Sequence, residues 1–201
     1  MNIRKLKIKN LQQGYTIIET MIAVSVFLVV ITMGMSSLLN ANLVHQKSED
    51  MRSILDSLSF VMEDMSRNLR TGYGYQCFTS QALNSGTLGG PRSCADGYAV
   101  AFEAEGGNAG TYTDQWVYEF SNGKIYRSTN GMTSTLELTP PEVVMDNASG
   151  VSVLGAESFA SGNTQQPLII IRLVGTITIP GKNVVTPFSI ETAVSQRNID
   201  I

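Results

Sequence analysis

The polarity pattern divides the chain into an apolar segment, an amphipathic segment and a long region of alternating polarity. Residues 20–44 contain no Asp, Glu, Lys or Arg, and twelve of them are Ile, Leu, Val or Phe. At 1.5 Å per residue, a helix of this length spans about 37 Å, which exceeds the ~30 Å hydrocarbon core of a bilayer. The pattern therefore predicts a membrane-spanning helix.

Beyond residue 45, apolar residues recur at spacings of three and four, which predicts one apolar helix face. The charged positions between them, Asp64 among them, are expected to face solvent. No proline occurs in residues 1–90, so the two segments are expected to form one helix over about 15–70. Thr71-Gly72 should end it, because glycine is favoured just past a helix. The predicted core face comprises Met51, Ile54, Leu55, Leu58, Val61, Met62, Met65 and Leu69.

The remaining chain, residues 72–201, predicts a β domain. Residues 72–97 are rich in glycine and hold both cysteines, which indicates a loop. Asn122-Gly123 between two alternating runs predicts a hairpin with a type I′ turn. Short turns between consecutive strands favour an antiparallel sheet covered by the helix, an α+β fold. The predicted strands cover 98–103, 115–121, 124–128, 133–138, 142–145, 151–154, 168–179 and 184–194.

Charge is distributed unevenly along the chain. Four of the 14 basic residues and none of the 17 acidic ones lie within residues 1–14, so the rest is acidic. An acidic body argues against general nucleic-acid binding, which requires Lys and Arg to contact phosphates. A basic flank before an apolar helix predicts a cytoplasmic N-terminus and an extracytoplasmic C-terminal domain.

Glu19, near the start of the apolar run, is not explained by a simple membrane anchor. An acidic residue costs roughly 2.5 to 3.5 kcal/mol at the centre of a membrane helix and less near an end, and the apolar residues outweigh that cost. A secretory signal peptide fits poorly, because the apolar run is long and His45-Gln46-Lys47-Ser48 is a poor cleavage site. An acid that insertion does not require indicates a functional role with a partner.

The basic leader ending in Gly14, the aromatic Tyr15, the run Thr16-Ile17-Ile18-Glu19 and the long apolar helix together resemble the type IV pilins and the pseudopilins of type II secretion. The resemblance implies that a prepilin peptidase cleaves after Gly14 and methylates the new N-terminus at Tyr15. It also implies that Glu19 guides subunits into a filament. Tyr15 stands where the family usually has Phe, and it keeps the aromatic ring.

These features predict four segments with separate roles. Residues 1–14 are a cleaved leader, 15–44 a transmembrane and filament-core helix, 45–71 its amphipathic continuation, and 72–201 the β domain. The expected partners are other pilin or pseudopilin subunits, the prepilin peptidase, an inner-membrane assembly platform and, before assembly, membrane lipid. The apolar segment lacks the proline of many major pilins, which favours a minor subunit. The alternative is a single-pass anchored extracellular binding domain that does not polymerise.

Enzymatic and metal chemistry are not indicated by the sequence. No nucleophile, zinc-protease or phosphate-loop motif occurs, so no enzyme and no cofactor are expected. Two cysteines and one distant histidine argue against zinc. Cys77 and Cys94 are expected to form a disulfide if the domain is exported, and to be two thiols in a reducing compartment. Because some pseudopilins bind calcium, oxygen ligands near Asp96, Glu103, Glu105 and Asp114 are an alternative, but solvated loop acids are favoured.

Overall fold

The computed structural model describes residues 14–80, 83–108, 110–158, 161–179 and 184–197. Its single long helix, α1, spans Ile17–Thr71, close to the predicted range. The Gly72 amide donates to the Asn68 carbonyl at 3.0 Å and closes the last turn, as expected for glycine at this position. The chain forms two compact units, which divide within α1 between Lys47 and Ser48.

The first unit contains the apolar part of α1, whose large side chains are exposed throughout. Its hydroxyl groups bond to carbonyls of the same helix, for example Thr20 Oγ1 to the Ile17 oxygen at 2.8 Å and Ser25 Oγ to the Ile22 oxygen at 2.8 Å. Such bonds satisfy polar groups without water, as an apolar environment requires. Among the described residues, α1 is the one helix long and apolar enough to cross a membrane.

The described residues of the second unit contain the rest of α1 and ten strands arranged in two sheets. The strands are β1 Tyr73–Phe78, β2 Cys94–Gly97, β3 Ala99–Glu103, β4 Trp116–Ser121, β5 Lys124–Ser128, β6 Leu136–Glu137, β7 Val143–Met145, β8 Gly150–Leu154, β9 Leu168–Ile179 and β10 Val184–Ser195. The first sheet has the order β1-β3-β4-β5-β6, and the second has β10-β9-β8-β2, with β7 also paired to β9. All named strand pairs are antiparallel.

The structure confirms the predicted α+β class and corrects two details. The strands form two sheets rather than one, because β2 pairs with β8 while its neighbours β1 and β3 pair with each other. Residues 72–97 are not only a loop, since they supply β1 and β2. The predicted hairpin at Asn122-Gly123 is present between β4 and β5, with φ of 51° and 72° at the two turn residues, as a type I′ turn requires.

The core of the second unit lies between α1 and the sheets. Ile54, Leu58, Val61, Met62, Met65 and Leu69 of α1 are buried against residues of both sheets, as the spacing predicted. Leu55 was predicted to be buried on the same face, and this prediction is wrong, because Leu55 is 36% exposed. Burying these side chains stabilises the fold by roughly 1.5 to 3 kcal/mol each before entropy costs.

Asp64 is a second correction on the helix, since it is half-buried rather than solvated. Its Oδ2 atom forms an ion pair with Arg127 Nη1 of β5 at 3.0 Å and accepts a bond from the Tyr118 hydroxyl of β4 at 3.3 Å. Asn68 Nδ2 donates to the same hydroxyl at 2.9 Å. Burial raises the pKa of Tyr118 well above its usual value, so the hydroxyl stays protonated. This network ties α1 to the first sheet.

Cys77 of β1 and Cys94 of β2 form a disulfide, with 5.5 Å between their Cα atoms. The bond joins the first sheet to the second, which no sequence spacing indicates. Gly97 lies against it, because a Cβ placed there would be 2.6 Å from Cys77 Sγ and 2.8 Å from Cys94 Sγ. A side chain at residue 97 would therefore clash with the disulfide.

Candidate functional site

The residues assigned to processing lie together at the start of α1. Gly14, Tyr15 and Thr16 precede the helix, which begins at Ile17. The amide of Glu19 donates to the Thr16 carbonyl at 3.1 Å and to the Thr16 hydroxyl at 3.3 Å. Thr16 therefore caps the helix, because its two oxygens accept a bond from an amide that has no partner within the helix.

The peptide bond between Gly14 and Tyr15 is accessible. Gly14 is exposed, and a Cβ placed on it would have no atom within 4 Å. Tyr15 is 83% exposed, and the helix starts two residues after it. A protease binds its substrate as an extended backbone, so a non-helical, exposed bond directly before a helix is suited to cleavage.

The Glu19 carboxylate lies in the first turn of α1 and is exposed. Acidic side chains are stabilised there, since the unpaired amides give the helix N-terminus a partial positive charge. Among the residues that the structure describes, no hydrogen-bonding or ion-pair partner contacts this carboxylate. A carboxylate in apolar surroundings that lacks a partner within its own chain is suited to a positive group on another molecule.

The four acids considered as calcium ligands do not form one group. Asp96 is exposed and pairs with Arg172 at 2.8 Å, and Glu105 is also exposed. Both acids are therefore solvated, as favoured from the sequence. Glu103 is only 2% exposed, which makes its expected solvation wrong. Asp114 is half-buried. The structure therefore brings two of the four into the protein and leaves two at the surface.

Glu103, at the end of β3, belongs to a buried chain of amides. Gln115 Nε2 donates to Glu103 Oε1 at 2.8 Å, and Gln76 Nε2 donates to Gln115 Oε1 at 3.1 Å. Burial raises the pKa of Glu103, the bond from Gln115 lowers it, and the charge of Asp114 raises it. Sequence reasoning missed this cluster, and strand alternation could not have found it, because β3 is buried at every position and β1 is buried from Tyr75 to Phe78.

Within the described residues, no group of three or more His, Cys, Asp or Glu side chains could hold a metal ion. The disulfide lies in the second unit, whereas Gly14, Tyr15 and Glu19 lie in the first. The N-terminal stretch is therefore the candidate site for processing and assembly.

Comparison with known proteins supports this interpretation of the N-terminus. Residues 9–35 match the family model described as the prokaryotic N-terminal methylation motif, which is the signature of type IV pilins and pseudopilins. The match covers Gly14, Tyr15 and Glu19. No curated protein and no solved structure matched the chain. The chain thus carries the pilin-type N-terminal signature, and this signature indicates a structural protein rather than an enzyme.

Proposed function

We propose that this protein is the precursor of a minor subunit of a type IV pilus or a type II secretion-like filament. It is inserted in the membrane by α1, cleaved after Gly14, methylated at Tyr15 and assembled through the apolar half of the helix. The observation that carries the proposal is the methylation motif over residues 9–35, together with the apolar helical segment from Ile17 to Val44 that the chain itself leaves exposed.

The proposed segments follow from that observation. Residues 1–14 are the leader, 15–44 the membrane and filament-core helix, 45–71 its continuation, and 72–201 the extracytoplasmic domain. A prepilin peptidase recognises the cytoplasmic leader, and the mature chain binds an inner-membrane assembly platform and other subunits. After assembly, the domain belongs to a filament on the cell surface or in the periplasm.

The exposed apolar segment supports assembly through α1. Its side chains from Ile17 to Val44 are exposed within the monomer, so they require lipid or neighbouring helices to leave water. Lipid supplies that environment before assembly, and the helices of neighbouring subunits supply it afterwards. A polar group in such a bundle is costly unless it is paired.

Glu19 then acts as the group that selects the neighbour. Cleavage after Gly14 creates a charged α-amino group at Tyr15, and we propose that this amine pairs with Glu19 of an adjacent subunit. The pair neutralises both charges within apolar surroundings and sets the axial register between the two chains. Its value lies in specificity, because a buried pair contributes little net stability while a single unpaired member is strongly unfavourable.

Processing is tested by measuring the intact mass of the protein in membrane fractions with and without the peptidase. Wild-type protein should lose residues 1–14 and gain one methyl group only when the peptidase is present. Gly14→Leu should keep the leader, because a branched side chain next to the cleaved bond would hinder its binding to the peptidase. Gly34→Leu is the matched control and should be cleaved normally, because a Cβ at Gly34 also has no atom within 4 Å but lies inside the helix, away from the cleaved bond. Wild-type protein that keeps its leader beside active peptidase contradicts the proposal.

Assembly is tested by following Glu19 variants into sheared filaments. Glu19→Ala should be cleaved, membrane-resident and folded, yet missing from filaments, because the neighbouring amine is left unpaired. Glu19→Asp keeps the charge and shortens the reach by one methylene, so a partial defect is expected. Glu63→Ala is the control, since Glu63 pairs with Arg67 at the surface and such pairs contribute little. Wild-type incorporation of Glu19→Ala would instead favour an anchored domain that does not polymerise.

A further inference from the structure

A cleft in the second unit lies beside the end of β3. The start of β1, the end of β3 and the connections β1–β2, β3–β4 and β8–β9 form its walls, and its volume is about 290 Å³. Sites for drug-sized ligands usually measure about 300 to 1,000 Å³. The cleft therefore has room for one small group rather than for an extended molecule.

Two buried polar side chains, Glu103 and Gln115, line the inner part of the cleft, and each is only 2% exposed. Glu103 Oε1 accepts a bond from Gln115 Nε2 at 2.8 Å. Glu103 Oε2 is buried and accepts no hydrogen bond from the described residues. A buried polar atom without a partner is costly, so a ligand that donates a hydrogen bond to this oxygen is favoured.

Aromatic rings lie beside this carboxylate. Tyr73 of β1 is the register partner of Glu103 in β3, so the two side chains project from the same face of the first sheet. The Tyr73 hydroxyl donates to the Gly107 carbonyl at 2.7 Å, which fixes the ring in the wall of the cleft. Tyr112 also lines the cleft and is 43% exposed, which places it at the opening. Aromatic rings near a carboxylate favour a cation, because the faces of the rings attract positive charge.

The cleft carries negative charge without a matching cation. Among the described residues that line it, Glu103 is the one charged side chain, and no Lys, Arg or His is present. Glu103 takes part in none of the ion pairs within the described part of the chain. A single carboxylate among aromatic and apolar side chains is a poor metal site, because calcium takes about six to eight oxygen ligands. The lining therefore suits an organic cation better than a metal ion.

We propose that the cleft binds a primary ammonium group carried on a short apolar stem, which is the chemistry of a lysine side chain of another protein or of a small free amine. Glu103 is the counter-ion, and Tyr73 and Tyr112 contact the stem. An ammonium has three N–H donors, one of which satisfies Oε2. The last torsion of a glutamate side chain is soft, so the carboxylate turns Oε2 toward the ligand at little cost. This binding does not depend on filament assembly, so its failure would leave the proposed function unaffected.

The test measures binding to the purified full chain in mild detergent by isothermal titration calorimetry. The probes are lysine with its backbone ends blocked, the Nε-acetyl form of the same compound, and butylamine. Blocked lysine should bind. The acetylated form has the same stem without the charge and should bind at least about thirtyfold more weakly, because it leaves the buried carboxylate unpaired. Butylamine that binds as tightly as blocked lysine would assign the site to free amines, whereas tighter binding of blocked lysine would assign it to a lysine side chain of a protein.

Three variants link the binding to the cleft. Glu103→Gln keeps the size of the side chain and an oxygen that can accept from Gln115, but it removes the charge, so the affinity for blocked lysine should fall about thirtyfold or more. Tyr112→Ala, at the exposed opening, should lower the affinity about two- to fivefold and leave the fold intact. Glu105→Gln removes an exposed acid that does not line the cleft, so this matched control should bind with unchanged affinity. The fluorescence of Trp116 verifies that each variant is folded.

Four outcomes would overturn the proposal. The first is that blocked lysine and its acetylated form bind equally, or that neither binds. The second is that Glu103→Gln, with native fluorescence, keeps the wild-type affinity. An equal loss of affinity in Glu105→Gln would show diffuse attraction to an acidic surface. Displacement of blocked lysine by calcium chloride at equal concentration would identify a metal site instead.

Discussion

The disulfide between Cys77 and Cys94 should contribute about 3 kcal/mol to the free energy of unfolding. The two residues are 17 positions apart, and closing a loop of this size removes that amount of conformational freedom from the unfolded chain. The bond also joins β1 of the first sheet to β2 of the second. Breaking it should therefore lower the stability of the second unit while leaving membrane insertion unchanged.

Urea unfolding of the detergent-solubilised chain measures this contribution. Trp116 is the only tryptophan and lies half-buried in β4, with its ring centroid 6.3 Å from that of Phe102, so its fluorescence reports unfolding of the domain. With a slope of about 2 kcal/mol per molar urea, reduction should lower the unfolding midpoint by about 1.5 M. Cys77→Ser combined with Cys94→Ser should unfold at the reduced midpoint and should not respond to reductant.

A reductant-induced change below about 0.3 M would refute the loop-closure reasoning, because it corresponds to well under 1 kcal/mol. Gly97→Ala offers an independent check, since the added methyl group would lie within 3 Å of both sulfur atoms. It should destabilise the oxidised protein more than the reduced one. Exported protein in which peptide mapping finds both cysteines as free thiols would contradict the expected oxidised state.

Three further predictions concern packing, the helix–sheet network and pH. Leu58→Ala should lower the free energy of unfolding by about 2 to 5 kcal/mol in the same urea assay, because Leu58 is fully buried. Phe60 is 74% exposed, so the control Phe60→Ala should change the free energy of unfolding by less than about 0.5 kcal/mol. Tyr118→Phe should cost about 1 kcal/mol, since it removes the hydroxyl that bonds to α1, and near-native fluorescence with an unchanged midpoint would contradict this. Two bonds from Ser93 lower the pKa of Glu157, so its contribution is full above the usual glutamate pKa of 4.5 and is lost as the pH falls through the lower folded-state value. Glu157→Gln should therefore be less stable than wild type at pH 7, with a difference that shrinks in acid; a constant difference would refute the assignment.

Local patterns were sufficient for the helix, the hairpin and the N-terminal motif. The spacing of apolar residues predicted α1 to within two residues of its observed start and placed all six of its buried residues, Leu58 and Met65 among them, on one face. Asn122-Gly123 formed the turn because its backbone conformation is one that these two residues prefer, whereas Gly72 follows the helix without a positive φ and lies against the Phe102 ring. The order of Gly14, Tyr15 and Glu19 likewise indicated the N-terminal methylation motif that the family model matches, and the roles of these three residues stay predictions.

Long-range pairing could not be derived from the same patterns. The alternation in residues 72–97 is short, so the sequence left β1 and β2 unrecognised, and their assignment to different sheets depends on partners far along the chain. The Cys77–Cys94 pair was expected from composition, but its position between the two sheets follows only from that assignment. A strand's alternation shows that it has two faces, and it does not show which neighbour it will have.

The burial of charge was decided by tertiary structure for the same reason. Asp64 and Glu103 were expected to be solvated because acids usually are. Asp64 is half-buried because Arg127 and Tyr118 come from strands more than fifty residues away, and Glu103 is buried because β1, with Gln76, and Gln115 close over it. The sequence by itself therefore determined the periodic elements and the processing motif, whose information is local, whereas the two-sheet arrangement and the buried acids depend on contacts that form only when distant segments meet.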